Sequence, residues 1–119
     1  MVTESSRKTR ASSADLDYQS GILPGVSRTF ALTIPVLPEA LALVTTNAYL
    51  LCRIADTIED DPALSHEQKS QFHARFVAVV KGTQDAESFA RDLAPLLSDR
   101  VLPAEHDLVR NTAAVIRVT

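Results

Sequence analysis

The chain has 119 residues, enough for one small domain with a modest core. A formal net charge of −3 argues against general nucleic-acid affinity, and few aromatics with no Trp argue against a base-stacking surface. The single cysteine, Cys52, cannot form an internal disulfide, which fits a reducing compartment, and it is expected to be a small buried core residue.

Residues 1–16 are polar, with basic and acidic side chains mixed. They lack the apolar stretch of a secretory signal and read as a disordered tail, leaving 17–119 as the folded part. Gly21, Pro24 and Gly25 predict a loop. Ser27 predicts a cap on a short helix from Arg28 to Thr33, because its hydroxyl can accept from a free amide of the first turn. Pro35 and Pro38 end that segment, and Pro38 suits the start of the next. One long helix is expected from Glu39 to about Asp60, apolar nearly all round and therefore central and buried. Asp61-Pro62 should end it. The apolar run from Ala40 to Cys52 is interrupted by Thr45, Thr46 and Asn47 and falls short of the roughly 20 residues that span a bilayer.

"SHEQ", residues 65 to 68, has the capping-box pattern. It predicts a helix from His66 to Lys81 that stops at Gly82, with Phe72, Phe76, Val79 and Val80 forming its apolar stripe. Asp85 should cap a third helix carrying Phe89, Leu93, Leu96 and Leu97, with Pro95 kinking or splitting it. A fourth should start near Pro103 and carry Leu108, Val109, Ala113 and Ile116. His66, His73 and His106 lack ligand spacing and read as surface residues. No strand alternation or internal repeat is visible, so the expected class is all-α.

The segment "RIADTIEDD", residues 53 to 61, places four acids at the end of this greasy helix. With Asp56 at zero, Asp60 falls at about +40°, Glu59 at about −60° and Asp61 at about +140°, while Arg53 falls at about +60° and Tyr49 at about +20°. Tyr49, Arg53, Asp56 and Asp60 therefore form one polar stripe, with Glu59 beside it and Asp61 serving the helix end. Acids at a helix C-terminus oppose the macrodipole by roughly 0.3–1 kcal/mol each. Asp56 and Asp60, at i and i+4, add repulsion of a few tenths of a kcal/mol. A divalent cation would reverse that balance. Mg²⁺ takes carboxylate oxygens and bridges to phosphates, and one Arg beside it could pair with a phosphate oxygen. The alternative is a solvated helix end. An EF-hand is excluded, because Ile58 stands at the third position and no Gly at the sixth.

Two segments resemble the squalene/phytoene synthase family, the head-to-head prenyl synthases. "YLLCRIADTIEDD" is similar to the family's first acidic motif with its preceding Tyr and Arg, and "VSRTFALTIPVLP" to the Ser-Arg-x-Phe segment before it. The resemblance is specific over Leu23 to Pro62 and a general helical likeness beyond. It implies an isoprenoid-synthase-type helical bundle and a transferase that condenses two prenyl diphosphates in a Mg²⁺-dependent reaction. Farnesyl diphosphate would give presqualene diphosphate and, with NADPH, squalene; phytoene or dehydrosqualene are the alternatives within the family. It implies Asp56 and Asp60 as Mg²⁺ ligands with Glu59 accessory, and Arg28 and Arg53 near the diphosphates. It also implies Tyr49 at the reacting centre and Ser27 and Phe30 lining the first substrate site. The wording "DTIEDD" leans toward squalene synthases. The family's second acidic motif is not found, so this reading expects the N-terminal part of a synthase. Its partners would be prenyl diphosphates, with no nucleic acid or partner protein implied. Its place would be cytoplasmic, with peripheral membrane contact for release of a lipid product. The rival from another class is a non-catalytic helical module whose acids meet a basic partner.

Overall fold

The computed structural model describes residues 12–119. Among them are seven α-helices and no strand, so the fold is all-α. Helix α1 is Ser13–Val26 and α2 is Arg28–Thr33, followed by a short 3₁₀ turn, Ile34–Val36. The long helix α3 is Glu39–Asp60, α4 is His66–Lys81 and α5 is Ala86–Leu93, followed by a second 3₁₀ turn, Ala94–Leu96. Helices α6, Pro103–Arg110, and α7, Thr112–Val118, complete the chain.

Local signals account for most boundaries. Ser27 Oγ accepts from the Phe30 amide and caps α2. Ser65 and Gln68 form the reciprocal capping box of α4, and Gly82, at φ 85°, closes that helix in the left-handed region glycine favours. Asp85 caps α5 through the Ser88 amide. Pro95 splits the expected third helix, leaving Leu93 and Leu97 buried and Leu96 exposed. The expected fourth helix is broken at Asn111, whose amide donates to the Asp107 carbonyl. After the break it is Ala114 and Val115 that are buried, while Ala113 and Ile116 are half-buried.

Several expectations are corrected. The loop at Gly21–Gly25 is helical, and α1 reaches back to Ser13, so residues 13–16 are not tail; residues 1–11 lie outside the described residues. Ser12 caps α1 with Asp15 returning to the Ser12 amide, and Arg117 of α7 grips the same carboxylate through two hydrogen bonds of 2.9 Å. Gly25 fits because α6 passes close: a Cβ there would stand 2.9 Å from Ala104 Cβ. Cys52 is exposed, not buried. Helix α3 is not buried all round. Its C-terminal half buries Leu50, Ile54 and Ile58, whereas Leu41 and Val44 in its first turns are exposed.

The molecule is a slab of 39 × 37 × 18 Å. At that thickness only about two helix layers fit. One face of α3 packs on α1, α4, α6 and α7, and among the described residues no helix covers Leu41 and Val44 on its first half. The core joins Leu50, Ile54 and Ile58 to Phe72, Phe76, Phe89, Leu93, Leu108 and Val115. The Phe89 ring meets Phe72 edge-on at 6.2 Å and Phe76 at 5.6 Å. Buried Asn47 links three elements, donating to Gln19 of α1 and to the Val115 carbonyl of α7. These ties fix the direction of α3 and hence the place of its acidic end.

Candidate functional site

The C-terminal end of α3 faces the start of α6 across a cleft of about 400 Å³. Arg53, Asp56, Thr57, Asp60 and Asp61 line one wall, and Arg100, Val101 and Glu105 the other. The i, i+3, i+4 spacing of a helix brings Arg53, Asp56, Thr57 and Asp60 to one side. The opposite face of the same turns supplies Ile54 and Ile58, both fully buried, so the register of the acids is locked by the core behind them.

Arg53 is the centre of this wall. Its Nη2 donates to Glu105 Oε2, and its Nη1 lies 3.8 Å from Asp56 Oδ2. Its Nε is buried and finds no hydrogen-bond partner among the described residues. The Asp56 side chain is 59% exposed, and Asp60 is exposed as well. Both therefore present carboxylate oxygens to the cleft.

Asp61 is different. It is 2% exposed. Its Oδ1 accepts from the Ala63 amide at 2.7 Å and its Oδ2 from the Ser98 amide at 2.9 Å. Asp61 ends the helix, as its place before Pro62 predicts, and it also ties α3 to the loop that carries Arg100. His106 Nε2 lies 3.3 Å from the Ser98 carbonyl on the same loop, so this histidine is half-buried rather than a plain surface residue.

The other residues picked out by sequence fall into separate places. Tyr49 lies one helical turn before Arg53; its ring packs on Phe30 at 4.5 Å and its hydroxyl donates to the Val26 carbonyl at 3.4 Å. Ser27, Phe30 and Tyr49 thus form one group at the α1–α2 junction. Arg28 is exposed on α2. Glu59 does not line the cleft: its Oε1 lies 3.1 Å from His73 Nε2, on the side facing α4. Glu105 and Arg100 were not picked out, since an acid in the first turn of a helix is an ordinary response to its dipole and a lone loop Arg carries no signal.

Among the described residues no three His, Cys, Asp or Glu side chains converge as a metal-binding group. A cation in the cleft would therefore take few carboxylates and complete its shell with water and phosphate oxygens. That donor set suits Mg²⁺, which demands oxygen ligands and keeps several waters. Asp56 and Asp60 fit the role.

The domain is all-helical, and its long helix ends in a cleft lined by arginines and acids. The squalene/phytoene synthase family matches residues 23–117, and the chain belongs to that family. Comparison with curated proteins and with solved structures gave no significant match. The match runs well past Pro62, so the helices after the acidic end belong to the family's domain as much as the motif does. No helix among the described residues is long and apolar enough to cross a membrane.

Proposed function

We propose that the cleft binds the diphosphate head of a prenyl diphosphate together with Mg²⁺, in a head-to-head condensation of two farnesyl diphosphates. The observation that carries this reading is that Asp56, Asp60 and Arg53 open into one cleft. A bound Mg²⁺ would neutralise charge developing on the departing diphosphate. Asp56 and Asp60 would hold it, and Arg53 would offer guanidinium hydrogens to a phosphate oxygen.

The tail would run from the cleft past Tyr49 of α3 and Phe30 of α2, whose rings pack with centroids 4.5 Å apart. Arg28 would meet a diphosphate approaching the α2 end, and Ser27 holds the first turn of α2 in place for it. Around a reacting allylic centre this wall excludes water, which would otherwise capture the cation. Glu59, paired with His73, stands outside the set that would contact the metal.

The test is product analysis of the full-length protein with farnesyl diphosphate and Mg²⁺, with and without NADPH. Presqualene diphosphate without the nicotinamide and squalene with it is the expected outcome. Conversion of geranylgeranyl diphosphate to phytoene instead would move the assignment to the other branch of the family. No turnover of either, in a folded protein with Mg²⁺ present, would refute it.

A further inference from the structure

Arg53 is already engaged. Glu105, its partner across the cleft, has a side chain only 14% exposed, and Arg53 is 26% exposed. With Asp56 near Nη1 and Nε buried without a partner among the described residues, no end of the guanidinium is fully open to a new anion. The cleft as a whole is lined by four carboxylates, Asp56, Asp60, Asp61 and Glu105, against the guanidiniums of Arg53 and Arg100. An anion entering alone meets an excess of negative charge. The same anion entering with a divalent cation meets the opposite balance, because the cation takes the field of Asp56 and Asp60.

We propose that Glu105 is a positioning residue for Arg53 and that its charge makes diphosphate binding conditional on a divalent cation. It holds the guanidinium toward the cleft, and it competes with any anion that arrives without a cation. This rests on the reading of the cleft as a metal–diphosphate site. A carboxylate that served only to fix Arg53 could be replaced by an uncharged acceptor with no change in how anions respond to the metal. A carboxylate that also screens the site could not. Glu105→Gln separates the two roles. The amide keeps the length and one oxygen that can accept from Nη2, but removes the charge.

The experiment is calorimetric titration of inorganic diphosphate into the wild-type chain and into Glu105→Gln, each with MgCl₂ and with EDTA. Circular dichroism checks that the variants are folded. The wild type is expected to bind with Mg²⁺ and to bind weakly or not at all in EDTA. In EDTA, Glu105→Gln should bind at least about tenfold more tightly than wild type, the scale of one nearby like charge removed from a partly buried site. Adding Arg53→Gln to that variant should abolish the gain. If Glu105→Gln does not fold, Glu105→Met, which fills the volume without charge, should show the same gain. Wild-type binding that needs Mg²⁺, with no gain in EDTA for either Glu105 variant, would overturn the proposal and leave the cleft's reading intact. Wild type that fails to bind diphosphate even with Mg²⁺ would overturn the reading of the cleft, and the proposal with it.

Discussion

Asp61 is the acid whose role the fold defines most sharply. Both of its carboxylate oxygens accept backbone amides, from Ala63 and Ser98, and it is 2% exposed. In Asp61→Asn one oxygen becomes an NH₂ group that must face an N–H. One of the two bonds is lost and two donors are pressed together in a buried place. A hydrogen bond to a charged group contributes roughly 1.5–3 kcal/mol. Against this, removing an acid from the C-terminus of α3 relieves the macrodipole by roughly 0.3–1 kcal/mol. The hydrogen-bond loss wins, and the net destabilisation is about 1–2 kcal/mol. For a domain of this size that lowers Tm by roughly 4–8 °C. Urea unfolding followed by circular dichroism gives the stability, and a Mg²⁺–diphosphate titration well below Tm gives binding per folded molecule. Stability should fall and binding should be retained. Unchanged stability with loss of Mg²⁺-dependent binding would show that the Asp61 oxygens serve the metal rather than the Ala63 and Ser98 amides.

Gly25→Ala gains roughly 0.8–1 kcal/mol of helix propensity but places a methyl 2.9 Å from Ala104 Cβ. Both atoms are fixed to backbone, so overpacking of roughly 1–3 kcal/mol should win; a rise in Tm would contradict the close approach of α1 and α6. The two Arg117 hydrogen bonds hold the Asp15 carboxyl down from 3.8 to about 2. That contribution to stability is present above the ordinary carboxylate value and is lost as pH falls through it toward the folded-state value. Asp15→Asn should therefore lower Tm at neutral pH and flatten its decline in acid, and an acid limb as steep as wild type would show that the Asp15–Arg117 pair contributes little.

The course of α3 was legible from sequence because Pro38 and Asp61-Pro62 bracket it and helix geometry fixes which side chains share a side. Its caps and those of α4 were legible for the same local reason. Helix α1 was not. Pro24 and Gly25 read as loop residues, and the forces that override them are distant: Arg117 on Asp15 and the close passage of Ala104 at Gly25. The same limit applies to the cleft. Helical angles brought Arg53, Asp56 and Asp60 together and set Asp61 apart, but they left Glu59 beside the stripe, and only the packing of α4 turns it toward His73. Glu105 comes from a helix far along the chain, and no spacing could pair it with Arg53. Cys52 looked buried because its neighbours are apolar; the exposed side of α3 on which it lies depends on which helices cover it.

The assignment of Asp56 and Asp60, rather than Glu59, as the metal-holding pair can be measured directly. A prenyl thiodiphosphate, whose carbon–sulfur bond resists ionisation, is titrated into wild type, Asp56→Asn, Asp60→Asn and Glu59→Gln, with Mg²⁺ and with EDTA. Wild type and Glu59→Gln should bind in the presence of Mg²⁺ and not in EDTA, while Asp56→Asn and Asp60→Asn should each weaken the Mg²⁺-dependent binding by about tenfold or more. Wild-type affinity in Asp56→Asn and Asp60→Asn, with the loss falling on Glu59→Gln, would contradict the placement of the metal–diphosphate site in this cleft.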